Sequence, residues 1–185
     1  MRSEVASDNA AGHDVEIYQA AAREVWRAAG ETGPVRLTVT GDSMRPLLRV
    51  GDGVVVQPID PHALQPGEVI VVQRGGDWIT HRLVAVDKHG WHTHGDNTRY
   101  GDEAASTSQI MGRVIAIERN GETIDLLQPR WRAIDRRINR VQLVQLRVLA
   151  AARASGGTRS HGIQHRLAAL INWPFQWLVR MLVRV

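Results

Sequence analysis

The sequence predicts a mainly β domain with a short helix at its N-terminal end and helices at its C-terminal end. Three observations carry this. Seven short runs rich in Val, Ile and Thr lie between Arg36 and Leu127, each bounded by Gly, Pro, Asp or Asn. Helical periodicity occurs only outside that stretch, in Val15–Ala29 and Trp131–Arg153. The composition, 43% apolar and 23% charged, is that of a globular chain. Many short strands with edge helices read as an antiparallel sheet assembly or partly open barrel.

Residues 1–13 are small and polar, have no apolar run resembling a secretory signal, and are expected to be disordered. From residue 14 a domain extends to 128. It opens with a helix on which Val15, Tyr18, Ala22, Val25 and Trp26 share a face, ended by Gly30 and Gly33-Pro34. At about 15 residues this helix is too short for a helix-turn-helix reader of DNA, which needs a three-helix unit.

The strands follow in order: Arg36–Thr40, Gly53–Gln57, Glu68–Gln73, Trp78–Val86, Gly90–His94, Ile110–Glu118 and Thr123–Leu127. Gly75-Gly76 turns the third into the fourth, and Asn120-Gly121 is a strong signal for a tight hairpin between the last two. The second helix, Trp131–Arg153, is expected to bury a stripe of Ile134, Ile138, Val141, Val144 or Gln145, and Val148. Ala154–Gly162 reads as a flexible linker, and an apolar, aromatic segment runs from 163 to 185.

Charge divides the chain in the same place. Residues 1–128 hold twelve basic and eighteen acidic residues, net −6. Residues 129–185 hold eleven arginines and one acid, Asp135, net +10. Such a tail implies an anionic partner. Cysteine is absent, which excludes disulfides, thiol nucleophiles and Cys-ligated metals. Lysine occurs once, at Lys88, so chemistry needing a lysine has one candidate.

The informative stretch is Gly41-Asp-Ser-Met-Arg-Pro-Leu-Leu-Arg-Val-Gly-Asp52. Thr80-His-Arg82 follows within a strand, then His94-Gly-Asp-Asn97, then Asp102. A serine hydroxyl is a poor nucleophile until a base stands within hydrogen-bond reach and a third group orients that base. The chain offers one of each, Ser43, His81 and an aspartate, in that order. Blander readings exist for each. Ser43 fits a turn, His81 a satisfied sheet position, and Gly-Asp-Asn a tight turn. His92 and His94 alternate on one side of a strand with His89 nearby. Two histidines without a third ligand are expected to form a solvated face, and no metal or other cofactor is expected.

Six features fall in one order: Gly41-Asp-Ser43-Met44-Arg-Pro46, Gly51-Asp52, Gly67-Glu-Val-Ile-Val71, Thr80-His81-Arg82, Gly95-Asp96-Asn97 with Asp102, and Ile110-Met-Gly112-Arg-Val114. Over residues 36–118 this arrangement resembles the S24/S26 serine peptidase superfamily of signal peptidase I and LexA-type peptidases. Most bacterial members use a Ser–Lys dyad. Here His81 stands where the lysine would, which is the pattern of the archaeal and endoplasmic-reticulum signal peptidases.

The resemblance implies Ser43 as nucleophile, His81 as general base, Asp102 as orienting carboxylate and Asp96 as supporting acid. The sequence leaves open which aspartate faces His81. The resemblance also implies Met44 and Pro46 as substrate-binding residues and backbone N–H groups near Ser43 as an oxyanion hole. Gly41 stands where many signal peptidases carry a second serine.

The expected function is therefore a serine endopeptidase that cleaves a precursor or leader peptide. Trp173, Phe175, Trp177 and Arg180 are the expected membrane-contact residues of the 163–185 segment, whose uncharged stretch, Leu167–Val179, is 13 residues and shorter than the ~20 a span needs, so an interfacial helix is expected. Because the chain lacks an N-terminal span, a membrane-associated enzyme on the cytoplasmic face fits better than an exported one. The C-terminal helices would also suit a second copy, as a homodimer. The arginines of 130–147 lack the aromatic interleaving of a nucleic-acid platform. Two alternatives stand beside this reading: a non-catalytic peptide- or membrane-binding module on the same fold, and a LexA-like self-cleaving regulator, for which Lys88 is misplaced.

Overall fold

The computed structural model describes residues 33–155 together with Glu24, Trp26, Ala28 and Met181. Seven strands form one antiparallel sheet: β1 (Val35–Thr38), β2 (Gly53–Gln57), β3 (Val69–Arg74), β4 (Asp77–Asp87), β5 (Gly90–His94), β6 (Ile110–Arg119) and β7 (Glu122–Asp125). Their spatial order is β1-β2-β6-β3-β4-β5, and β7 pairs with β6 beyond the end of β3. A single long helix, α1 (Pro129–Ser155), follows. The seven strands and the long helix agree with the sequence reading to within a few residues at each end. Of the expected N-terminal helix, Glu24, Trp26 and Ala28 are described, and all three are helical.

Turn chemistry sets the sheet. Asn120 and Gly121 both take positive φ, 51° and 80°, which is what a two-residue hairpin demands and what Asn and Gly tolerate. Arg74 pairs with Asp77 around Gly75-Gly76, and Asp87 pairs with Gly90 around Lys88-His89. The one lysine thus sits at an exposed hairpin tip, seven residues along from His81.

Apolar residues cover the sheet on both faces. Val69 and Val71 of β3 pack with Met44, Leu48, Val54 and Trp131, while Ile70 and Val72 pack with Leu64, Leu83 and Trp91. A strand buried on both sides reads as an unbroken Val/Ile run, as Val69-Ile-Val-Val72 does. Trp26 enters the first cluster and its indole N–H donates to the Met111 carbonyl at 2.8 Å.

One expectation holds in part and another fails. The inner face of α1 keeps Ile134, Ile138 and Gln145 of the expected stripe but not Val144 or Val148. Trp131, Asp135, Ile138, Asn139, Gln142 and Gln145 are buried, whereas Val144 and Val148 are 51% and 41% exposed. Nor do His92 and His94 make a solvated face, since His94 is buried. On α1 the cause is Arg82, whose buried guanidinium pairs with Asp135 and draws that side of the helix inward. Among the described residues no group of His, Asp and Glu is arranged to hold a metal. Residues 1–13, most of the 154–162 linker and Trp173, Phe175, Trp177 and Arg180 lie outside the described residues. Among the described residues no helix is long and apolar enough to cross a membrane.

Candidate active site

β4 presents His81 on one face and Arg82 on the other, as consecutive strand residues must. The His81 face meets the turn after β1. His81 Nε2 lies 2.9 Å from Ser43 Oγ, and Nδ1 lies 2.6 Å from Asp102 Oδ2. With the proton on Nδ1, the imidazole donates to Asp102 and accepts from the Ser43 hydroxyl. Thr93 Oγ1 donates to the same Asp102 oxygen at 2.6 Å, and the Asp102 N–H returns to the Thr93 carbonyl at 2.9 Å. Burial raises the Asp102 pKa, but the hydrogen bonds from His81 and Thr93 outweigh it and hold the carboxyl below its usual value. The carboxylate stays ionised and fixes both tautomer and ring plane.

Ser43 is held by its neighbours' backbone. The Asn97 N–H donates to the Ser43 carbonyl at 2.7 Å, and the Asp96 N–H points at Met44 Sδ at 3.4 Å. Gly95 must be glycine here. A Cβ on it would stand 2.8 Å from the Ser43 carbonyl oxygen and 3.0 Å from His81 Nε2. Downstream, Asp52 anchors the turn. It accepts from Arg119 through both carboxylate oxygens at 2.9 and 2.6 Å and from the Arg49 N–H at 2.7 Å. Arg119 also donates to the Leu47 carbonyl at 2.8 Å, tying the serine turn to β6. Burial opposes ionisation of Asp52, yet the hydrogen bonds from Arg119 and Arg49 bring its pKa below normal.

The Arg82 face is closed. Arg82 is fully buried, and its Nε and Nη2 reach Asp96 Oδ1 and Oδ2 at 2.8 and 2.7 Å. Its Nη1 reaches Asp135 Oδ1 at 2.5 Å and the Gly67 carbonyl at 2.6 Å. Asp96 therefore spends its carboxylate on Arg82, and it is Asp102 that faces His81. Burial disfavours the Arg82 charge, but Asp96 and Asp135 more than restore it. Asp135 is pushed up by burial, with the nearby Asp96 and Glu68 carboxylates adding to it, and Arg82 only partly offsets this. His94 sits opposite Arg82 in the register, and burial lowers its pKa to about 4, so it is neutral.

A cleft of about 190 Å³ opens at Ser43, walled by Thr38–Gly41 on one side and Trp78–Thr80 on the other. Met44 and Leu48 form its floor, and Trp26 packs edge-on to Trp78, ring centroids 4.9 Å apart. Pro46 does not line it, because the turn closed by the Leu48 N–H on the Met44 carbonyl puts Met44 and Leu48 on the cleft side and Pro46, between them, off it. Gly41 faces open space, since a Cβ there would meet nothing within 4 Å.

Thr93, Arg82, Asp135 and Gln142 are site-supporting residues that pattern reading missed. Asp135 had a signal: it is the one acid in a segment with eleven arginines. Thr93 and Gln142 had none, since their roles depend on tertiary contacts alone. A family model described as Peptidase S24-like matches residues 6–115, more than half of the chain, and ends before α1. No curated protein matches the chain.

Proposed function

The chain belongs to the Peptidase S24-like family, and from that premise we propose that it is a serine endopeptidase cleaving a precursor or leader peptide, with a specificity like that of signal peptidase I. The observation that carries this reading is the continuous Ser43–His81–Asp102 hydrogen-bond chain at the end of an open cleft. An extended peptide adds between Thr38–Gly41 and Trp78–Thr80 by main-chain hydrogen bonding, with its scissile carbonyl at Ser43 Oγ.

His81 Nε2 takes the hydroxyl proton as Ser43 Oγ attacks the carbonyl carbon. The tetrahedral oxyanion is met by backbone N–H groups of the 41–45 turn. The C–N bond then breaks, and His81 returns the proton to the leaving amine. Water, deprotonated by the same imidazole, hydrolyses the Ser43 ester and restores the hydroxyl. Asp102 keeps the imidazolium oriented throughout. Lys88 plays no part, being at an exposed hairpin tip, and this speaks against a lysine-driven self-cleaving regulator.

The test is digestion of a complex peptide mixture by the full chain and by Ser43→Ala, with products identified by mass. Wild-type cuts absent from the variant support the reading. Identical product sets, or none from wild type, favour a non-catalytic peptide-binding module.

The proposal extends to location. Six arginines of α1, at 130, 132, 136, 137, 140 and 147, are exposed. Such a face suits an anionic bilayer, at roughly 1 kcal/mol per basic residue near the surface, and the apolar 163–185 segment follows it in the sequence. Sedimentation with vesicles containing phosphatidylserine, against neutral vesicles and nucleic acid, checks this assignment.

A further inference from the structure

The polar inner face of α1 calls for a reason. An aliphatic stripe would hold a helix on a sheet without desolvating carboxylate or amide groups. Here Asp135 and Gln142, seven residues and two turns apart on one face, are 8% and 1% exposed. Each reaches one specific polar atom. Asp135 accepts from Arg82, the residue after His81. Gln142 Nε2 donates to Asp96 Oδ1 at 2.8 Å, an oxygen that also takes Arg82 Nε.

Asp96 is not free to move once held this way. Its two oxygens take three hydrogen bonds, which fixes the carboxylate plane and the backbone that bears it. That backbone is the segment against which the serine rests. Gly95 packs on His81 and the Ser43 carbonyl, and the Asn97 N–H holds that carbonyl. The line of contact runs from Gln142 to Asp96, through the Gly95–Asn97 backbone, to Ser43. A second line runs from Asp135 through Arg82 to the β4 backbone at His81. These lines converge on the two atoms that must meet, Ser43 Oγ and His81 Nε2. The cleft walls at Thr38–Gly41 and Trp78–Thr80 take no part in either.

We propose that Asp135 and Gln142 are positioning residues for the Ser43–His81 pair, so that α1, beyond the matched family region, is part of the catalytic unit. The inference rests on the serine peptidase reading above. Its signature is a split: loosening α1's grip on Asp96 lowers the chemical step and leaves peptide binding alone.

The experiment uses the full chain with Gln142→Met, which keeps the shape and removes the donor, and Asp135→Asn, which removes the charge. Val144→Ala, on the exposed face of α1, is the control. Three quantities are read: the rate of Ser43 labelling by a fluorophosphonate, kcat and KM on a cleaved peptide, and thermal unfolding. Gln142→Met should slow labelling and lower kcat by roughly 10- to 100-fold with KM unchanged, since displacements of about 1 Å cost that much. Asp135→Asn should do the same to a smaller degree, and Val144→Ala should match wild type.

Equal labelling rates in folded Gln142→Met, Asp135→Asn and wild type would overturn the inference and leave the peptidase reading intact. A fall in Tm alone, with kcat unchanged at a temperature where the variants are folded, would overturn it too. Should Gln142→Met not fold, Asp135→Asn decides on the same readouts. Absence of Ser43 labelling in wild type defeats the peptidase reading itself and this inference with it.

Discussion

His81 and Arg82 are adjacent on one strand and live in opposite worlds. The His81 side is a half-open relay in which the imidazole bridges Ser43 and Asp102, with a cleft beyond the serine. The Arg82 side is sealed, with a guanidinium gripping two carboxylates and a backbone carbonyl under a helix. The first arrangement is suited to moving a proton, and the second to preventing movement. The lesson is that a proton relay of short bonds needs a rigid neighbour. This chain builds that rigidity one residue away.

Substitutions on the two faces should separate accordingly. The largest effect is expected from Ser43→Ala or His81→Ala, which remove nucleophile or base. Peptide cleavage should fall by roughly 10⁴- to 10⁶-fold, with denaturant midpoints near wild type. Asp102→Asn comes next. An asparagine amide cannot hold the Nδ1-protonated tautomer in the same way, and a loss of roughly 10³- to 10⁴-fold in kcat is expected, measured on the same peptide.

Arg82→Met breaks the comparison from the other side. It leaves Asp96 and Asp135 buried without a counter-charge, and truncating such a cluster costs about 3–5 kcal/mol. Urea denaturation should show that loss, whereas His81→Ala should not. Equal destabilisation by both would mean that the faces do not differ in kind.

Gly95→Ala crowds the His81 face through one methyl. Its Cβ would press on the Ser43 carbonyl and on His81 Nε2. The serine turn must shift, and activity should fall by roughly 10- to 100-fold with modest loss of stability. By contrast Gly41→Ser meets open space, so it should fold as wild type does and keep its activity.

The smallest effect is expected at His94. Its folded pKa, about 4, lies below its ordinary value of 6.5. The unfolded chain therefore binds the proton first as pH falls. Its contribution is complete above pH 6.5 and is lost progressively towards pH 4. Asp135, raised by burial, acts in the opposite sense on the acid side. The difference between wild type and His94→Gln isolates the histidine. Denaturation midpoints should fall more steeply between pH 6.5 and 4 in wild type than in the variant.

These two faces also differ in how far they could be read from the chain alone. The strands were legible because Val/Ile runs and Asn120-Gly121 act locally. Ser43, His81 and Asp102 stood out because their residue types and order resemble a family pattern, and the structure brings those three side chains together. The Arg82 side was opaque. Periodicity on α1 pointed to Ile134, Ile138, Val141, Val144 or Gln145, and Val148; Ile138 and Gln145 are buried, yet the helix also turns Asp135, Asn139 and Gln142 inward and leaves Val144 and Val148 exposed. Periodicity counts hydrophobic area and is blind to a buried cation that outbids it. Asp96 was placed with the catalytic groups for a similar reason, since Gly-Asp-Asn carries no sign of which neighbour its carboxylate will face. The lone lysine was the more useful clue. Its place at a hairpin tip fits the proposed role of His81 as the base beside Ser43.

The central claim is that Ser43 is a nucleophile activated by His81. Intact-mass measurement after incubation with a fluorophosphonate tests it most directly. The account predicts one adduct, located on the Ser43 peptide, absent from Ser43→Ala and formed far more slowly by His81→Ala. An unmodified Ser43 in wild type, or labelling that proceeds at the same rate without the imidazole, would contradict it.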